Sequence, residues 1–119
     1  MYLRRIRLEL ARNPDAPDGN PGCGYEIVAP LTEDGHLDEA VYAASPNTCG
    51  VRRFWVGERD EEGGLIRTKN GEWAFSYEEG DDDDEPIYRL HDHRFVEGEY
   101  VSIREHDGVA RTFRVASVA

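Results

Sequence analysis

Turn-forming residues recur so often along this chain that the stretches between them suit short strands or a short helix and little else. Pro14, Pro17, Gly19, Pro21, Gly22 and Gly24 are followed by Asp34-Gly35, Ser45-Pro46, Gly63-Gly64, Asn70-Gly71, Glu97-Gly98 and Asp107-Gly108. Glycine supplies backbone conformations that other residues resist, and proline removes a donor, so each cluster ends a regular element. Between the clusters, apolar residues mostly repeat every second position. Ile6, Leu8 and Leu10 fall on one face and Arg5, Arg7 and Glu9 on the other, the pattern of a half-buried strand.

Asn13 to Gly24 holds three prolines, three glycines and two aspartates, and reads as a long surface loop. Tyr25 to Leu31 reads as a second strand. Leu37, Ala40, Val41 and Ala44 follow helical spacing, with Asp38 and Glu39 suited to the positive end of a helix, so one short helix is expected near 37–44. Val51 to Glu58 is the next strand, and Glu61 to Gly64 turns the chain into Leu65 to Lys69. Asn70-Gly71 predicts a two-residue type I′ hairpin, which would set Arg67 opposite Ala74 and Ile66 opposite Phe75. A further strand is expected from Tyr88 toward Phe95. For the last hairpin, a three-residue loop at His106-Asp107-Gly108 sets Val101 opposite Phe113 and Glu105 opposite Val109, which keeps the apolar residues together. The pattern as a whole predicts a mainly β fold, either a small antiparallel β-barrel or a two-layer sandwich of about seven or eight short strands with one short helix.

The 119 residues suit a single domain spanning 1–119. Two Trp, six Tyr and four Phe supply enough apolar surface for a core, although charged residues make up 33% of the chain. Twenty-five acidic residues against 14 basic ones leave a net charge of -11, which argues against nucleic acid and anionic membranes as partners. Arg4, Arg5 and Arg7 form the only dense basic stretch and read as the outer face of the first strand. The first residues lack the apolar run of a secretory signal, and no segment is apolar for long enough to span a bilayer, so a cytoplasmic location is expected. Cys23 and Cys49 lie far apart with no metal-binding spacing and are expected as reduced thiols.

The C-terminal segment Phe95-Val96-Glu97-Gly98-Glu99-Tyr100-Val101-Ser102-Ile103, with Asp107-Gly108 and Phe113-Arg114-Val115, resembles the opening hairpin of SH3-like small barrels. Taken with Gly71-Glu72-Trp73-Ala74-Phe75-Ser76-Tyr77, the chain also resembles a group of short bacterial proteins of uncharacterised function. The first resemblance implies a barrel; the second implies no activity, ligand or catalytic residue.

Three groups of residues are candidates for chemistry or binding. His91 and His93 share one face of an extended strand, and with Glu97 they could ligate a divalent metal. Glycines that would frame a cupin motif around them are absent. Asp81, Asp82, Asp83 and Asp84 form an acidic loop rich in oxygen ligands, but Pro86 and Asp92 occupy the positions where an EF-hand needs glycine and glutamate. Trp55, Trp73, Phe75 and Tyr77 could form an interaction surface or the core itself. Cys23 has no nearby base to activate it, and the Gly19 to Gly24 region lacks the spacing of a phosphate-binding loop. The reading that follows is a non-catalytic, acidic binding or interaction module with no cofactor, suited to a basic protein or segment. The alternative is a divalent-metal-binding protein or metal-dependent hydrolase using His91 and His93. A third reading is a homo-oligomer that pairs an exposed strand edge or the aromatic face.

Overall fold

The computed structural model describes residues 3–44, 48–67, 73–76, 85–87, 94–105 and 107–119. Within them lie eight strands and one helix: β1 (Leu3–Leu10), β2 (Asn20–Pro30), α1 (Glu39–Ala44), β3 (Gly50–Phe54), β4 (Glu61–Arg67), β5 (Trp73–Ser76), β6 (Glu85–Ile87), β7 (Tyr100–Arg104) and β8 (Ala110–Val118). Each strand pairs antiparallel with its neighbour in sequence, and β8 returns to β1 to close a barrel. The fold is therefore the barrel of the two expected architectures. Each described strand has a neighbour on both sides, β6 meeting β7 through the pair Ile87 and Ile103.

Alternation along the strands decides what fills the barrel. Ile6, Leu8 and Leu10 of β1 point inward as their spacing predicts, joined by Tyr25 and Ile27 of β2, Leu65 of β4, Phe75 of β5, Val101 and Ile103 of β7 and Phe113 and Val115 of β8. Tyr25 is the hub of the aromatic part of this core. Its ring lies 5.0 Å from Phe75 and 5.1 Å from Phe113, the latter edge-on at 75°. At the end where β1 begins, the loop from Leu31 to Asp38 and the short helix cover the core. Asp38 caps that helix, its carboxylate accepting from the Val41 amide at 3.1 Å.

Three local expectations are corrected. The proline- and glycine-rich stretch becomes strand at Asn20, because Gly24 lets β2 lie tight on β1: a Cβ there would sit 1.9 Å from the Leu8 carbonyl oxygen. The turn expected at Glu61 to Gly64 is strand, with Gly64 opposite Gly50; the chain turns earlier, at Trp55 to Asp60, where Gly57 has φ 82°. The β4–β5 hairpin is offset by one residue from the Asn70-Gly71 register, with Arg67 opposite Trp73 and Leu65 opposite Phe75. That register sets two buried residues against each other in the core, and packing overrides the turn signal. Residues 68–72 of the turn itself lie outside the described residues, as do residues 88–93 of the strand expected from Tyr88 toward Phe95, whose last two residues, Arg94 and Phe95, are not strand. Glu85, which directly follows the acidic loop expected at Asp81 to Asp84, is strand and pairs with Phe75. The last hairpin follows the expected three-residue offset: Val101 faces Phe113, the Glu105 amide donates to the Val109 carbonyl at 3.0 Å, and Gly108 has φ 82°.

The loop after β1 is pinned by one buried side chain. Asn13 donates to the Ala11 and Thr112 carbonyls at 2.9 and 3.0 Å and accepts from the Thr112 amide at 2.9 Å. Asn13→Ala would strand the Thr112 amide, while the Thr112 carbonyl keeps its bond from the Ala11 amide at 3.0 Å, and a loss of about 1–3 kcal/mol is expected in urea-monitored unfolding, with the denaturant slope unchanged. Stability equal to wild type would show that this side chain does not tether the loop.

Candidate functional site

At the end of the barrel where β1 finishes, the inward-facing positions change from apolar to charged. Arg53 follows Val51 on β3, Glu105 follows Val101 and Ile103 at the end of β7, and Arg111 precedes Phe113 and Val115 on β8, each two residues from an apolar neighbour. The same parity that fills the core therefore aims all three charges into it. Glu105 is 2% exposed and Arg53 is 5% exposed.

Glu105 is the centre of this cluster. Its Oε2 accepts from the Tyr25 hydroxyl at 2.7 Å and from Arg53 Nε at 3.0 Å, and its Oε1 accepts from Arg111 at 2.8 Å. The arginines carry the network outward. Arg53 reaches Glu58 at 3.0 Å, and Arg111 reaches Asp15 at 2.8 Å and Asp107 at 3.0 Å. Arg53 also lies 4.2 Å over the ring of Trp55, which packs edge-on against Phe113 at 6.4 Å. Burial opposes the charge on both arginines. The carboxylates more than offset it, Glu105 foremost for Arg53 and Asp15 foremost for Arg111, so both guanidiniums are held above their ordinary range. Every charged group here has a partner inside the cluster. Such an arrangement holds its members in one mutual orientation.

Arginine does most of the outer-wall pairing as well, in keeping with 13 Arg and one Lys in the sequence. Phe54 lies beneath Arg7 at 4.4 Å and Arg52 at 5.4 Å. Arg52 binds Glu26 and Asp60, and these contacts raise its pKa, Glu26 contributing most.

The residues singled out by sequence are placed as follows. Phe75 is wholly buried and Trp55 is half-buried against the core, so these two do not form an exposed platform. Trp73 contributes backbone to β5, and Tyr77 lies outside the described residues. His91, His93 and Asp81 to Asp84 also lie outside them. Glu97 sits exposed in the turn before β7 and borders a groove. Among the described residues no three metal-type side chains converge. Both cysteines are buried and unbonded, and burial pushes the Cys49 thiol up. No described helix is long and apolar enough to cross a membrane.

The Glu105 cluster escapes a reading that looks for motifs. Its signal is a charged residue continuing an apolar parity at the end of a strand, seen here three times. A smaller constellation lies at the opposite end of the barrel, where the Asp34 carboxylate accepts from the Thr32 hydroxyl and meets His36 Nδ1 at 3.1 Å.

Two measurements test these assignments. Glu105→Gln is expected to cost about 3–5 kcal/mol, because it leaves two guanidiniums buried over a neutral amide, and Tyr25→Phe about 1–2 kcal/mol. A double-mutant cycle between them should show coupling above 0.5 kcal/mol by the usual criterion for residues in contact; strict additivity would remove the hydrogen bond from the account. Separately, the Thr32 hydroxyl first and His36 second hold the Asp34 carboxyl at about 2, below its usual 3.8. Its contribution to stability is thus present above pH 4 and lost as the pH falls toward 2. Carbon-detected titration should show Thr32→Val raising the Asp34 midpoint more than His36→Ala does.

In comparisons with known proteins, no protein-family model, curated protein or solved structure matches the chain.

Proposed function

We propose that the protein is a non-catalytic binding module whose acidic surface recruits a basic protein segment. The observation that carries this reading is the self-contained state of its buried chemistry. The four groups that most resemble an active site, Tyr25, Arg53, Glu105 and Arg111, are committed to one another, while the core beneath them is filled by Tyr25, Phe75 and Phe113 at no more than 0% exposure. Recognition then falls to the outer wall and loops.

The distribution of charge favours a basic partner. Seven of the 25 acidic residues lie between Glu78 and Glu85. Among the described residues, Asp18, Glu33, Glu62, Glu97 and Glu99 carry no hydrogen bond or ion pair through their carboxylates. A net charge of -11 steers cationic segments toward the surface and disfavours wrong partners of like charge.

Isotope-labelled protein titrated with a hexa-lysine peptide should give saturable amide shifts whose midpoint rises with salt, as the screening length falls to roughly 10 Å at 0.1 M. Hexa-glutamate should give none. Absence of shifts with hexa-lysine at low salt, or equal response to both peptides, would sink the reading.

A further inference from the structure

One groove combines an apolar floor with carboxylates that have no partner. It lies where the loop after β2 meets the turn before β7. Leu31, Phe95, Val96 and Val118 line its floor, and Glu33 and Glu97 border it, in a cavity of about 320 Å³. That volume is at the small end of ligand sites and suits one or two side chains. Neither Glu33 nor Glu97 makes a hydrogen bond or ion pair among the described residues. Arg4, which also lines the groove, donates its Nε to the Ala119 carbonyl at 3.0 Å.

The walls are fixed relative to each other. The Phe95 amide donates to the Gly35 carbonyl at 2.8 Å, and Arg94 Nε donates to the Asp34 carbonyl at 3.0 Å. Gly35 has φ 90°, and a Cβ at that position would lie 2.7 Å from the Val96 side chain. Only glycine permits both this turn and this approach, so the groove is preformed and binding does not have to order it.

We infer that this groove holds a basic segment of a partner protein in which an apolar side chain stands next to an arginine or lysine. The apolar side chain covers Phe95 and Val96, and the cation lies between Glu33 and Glu97. The inference rests on the reading of a basic partner and gives that reading a place and a sequence preference. The groove bordered by Arg12, Arg114 and Tyr100 is of mixed charge, since Glu9 and Asp18 line it as well, and it favours neither sign of ligand.

The test is a titration of the labelled, full-length chain with acetyl-Leu-Arg-amide, with acetyl-Gly-Arg-amide and acetyl-Leu-Glu-amide alongside it. Saturable shifts centred on Glu33, Gly35, Val96 and Glu97 are expected with the first peptide and much weaker ones with the other two. Glu33→Gln combined with Glu97→Gln should weaken binding about 10-fold, as the loss of two exposed ion pairs predicts, and both positions are exposed enough to leave the fold intact. If hexa-lysine shifts the protein but acetyl-Leu-Arg-amide leaves the groove unmoved, the groove is overturned and the basic-partner reading stands. If neither peptide shifts any residue, both fall. Equal binding of acetyl-Leu-Glu-amide, or no effect of the double substitution, also overturns the inference.

Discussion

The carboxylate of Glu105 ties together strands that the sheet alone joins only in sequence. Its three donors come from β2, β3 and β8, while Glu105 itself begins the turn out of β7. Hydrogen bonding between neighbouring strands fixes local register, but this contact spans the interior and fixes the far walls against each other. A buried charge is costly unless it is paired and fully hydrogen-bonded, so the arrangement tolerates few alternatives. An apolar end would pack with more freedom. The charged end selects one relation among four strands, and Trp55 and the surrounding carboxylates shield it from water.

Much of the architecture is legible in the sequence because period-two alternation and turn chemistry act locally. Ile6, Leu8 and Leu10 alternate cleanly, and Gly108 with the apolar match of Val101 to Phe113 sets the last hairpin. Legibility fails where a distant contact decides. Asn70-Gly71 favours one register, but burial of Leu65 against Phe75 imposes another. The composition from Asn20 to Gly24 argues for loop, yet close approach to Leu8 requires glycine within a strand.

The site was less legible than the fold for a related reason. Arg53, Glu105 and Arg111 are distant in sequence, and each looks like an ordinary surface charge in its own segment. Only the closed barrel brings their parity to a common interior. Glu97 stands out in the sequence as a candidate metal ligand beside His91 and His93; in the fold it borders a groove that Leu31, Glu33, Phe95 and Val96 also line, and the two histidines lie outside the described residues.

The order of the strands also has a kinetic meaning. Among the described strands, seven of the eight seams join strands adjacent in sequence, and only the seam between β1 and β8 joins strands from opposite ends of the chain. Local hairpins close small loops and form fast, while the final seam encloses nearly the whole chain. The entropy of closing a loop grows only with the logarithm of its length, about 0.6 kcal/mol for each doubling, and falls further once the intervening hairpins have shortened the effective path. A chain wired in this way favours assembly as a growing meander, with ring closure as its last and most committing step.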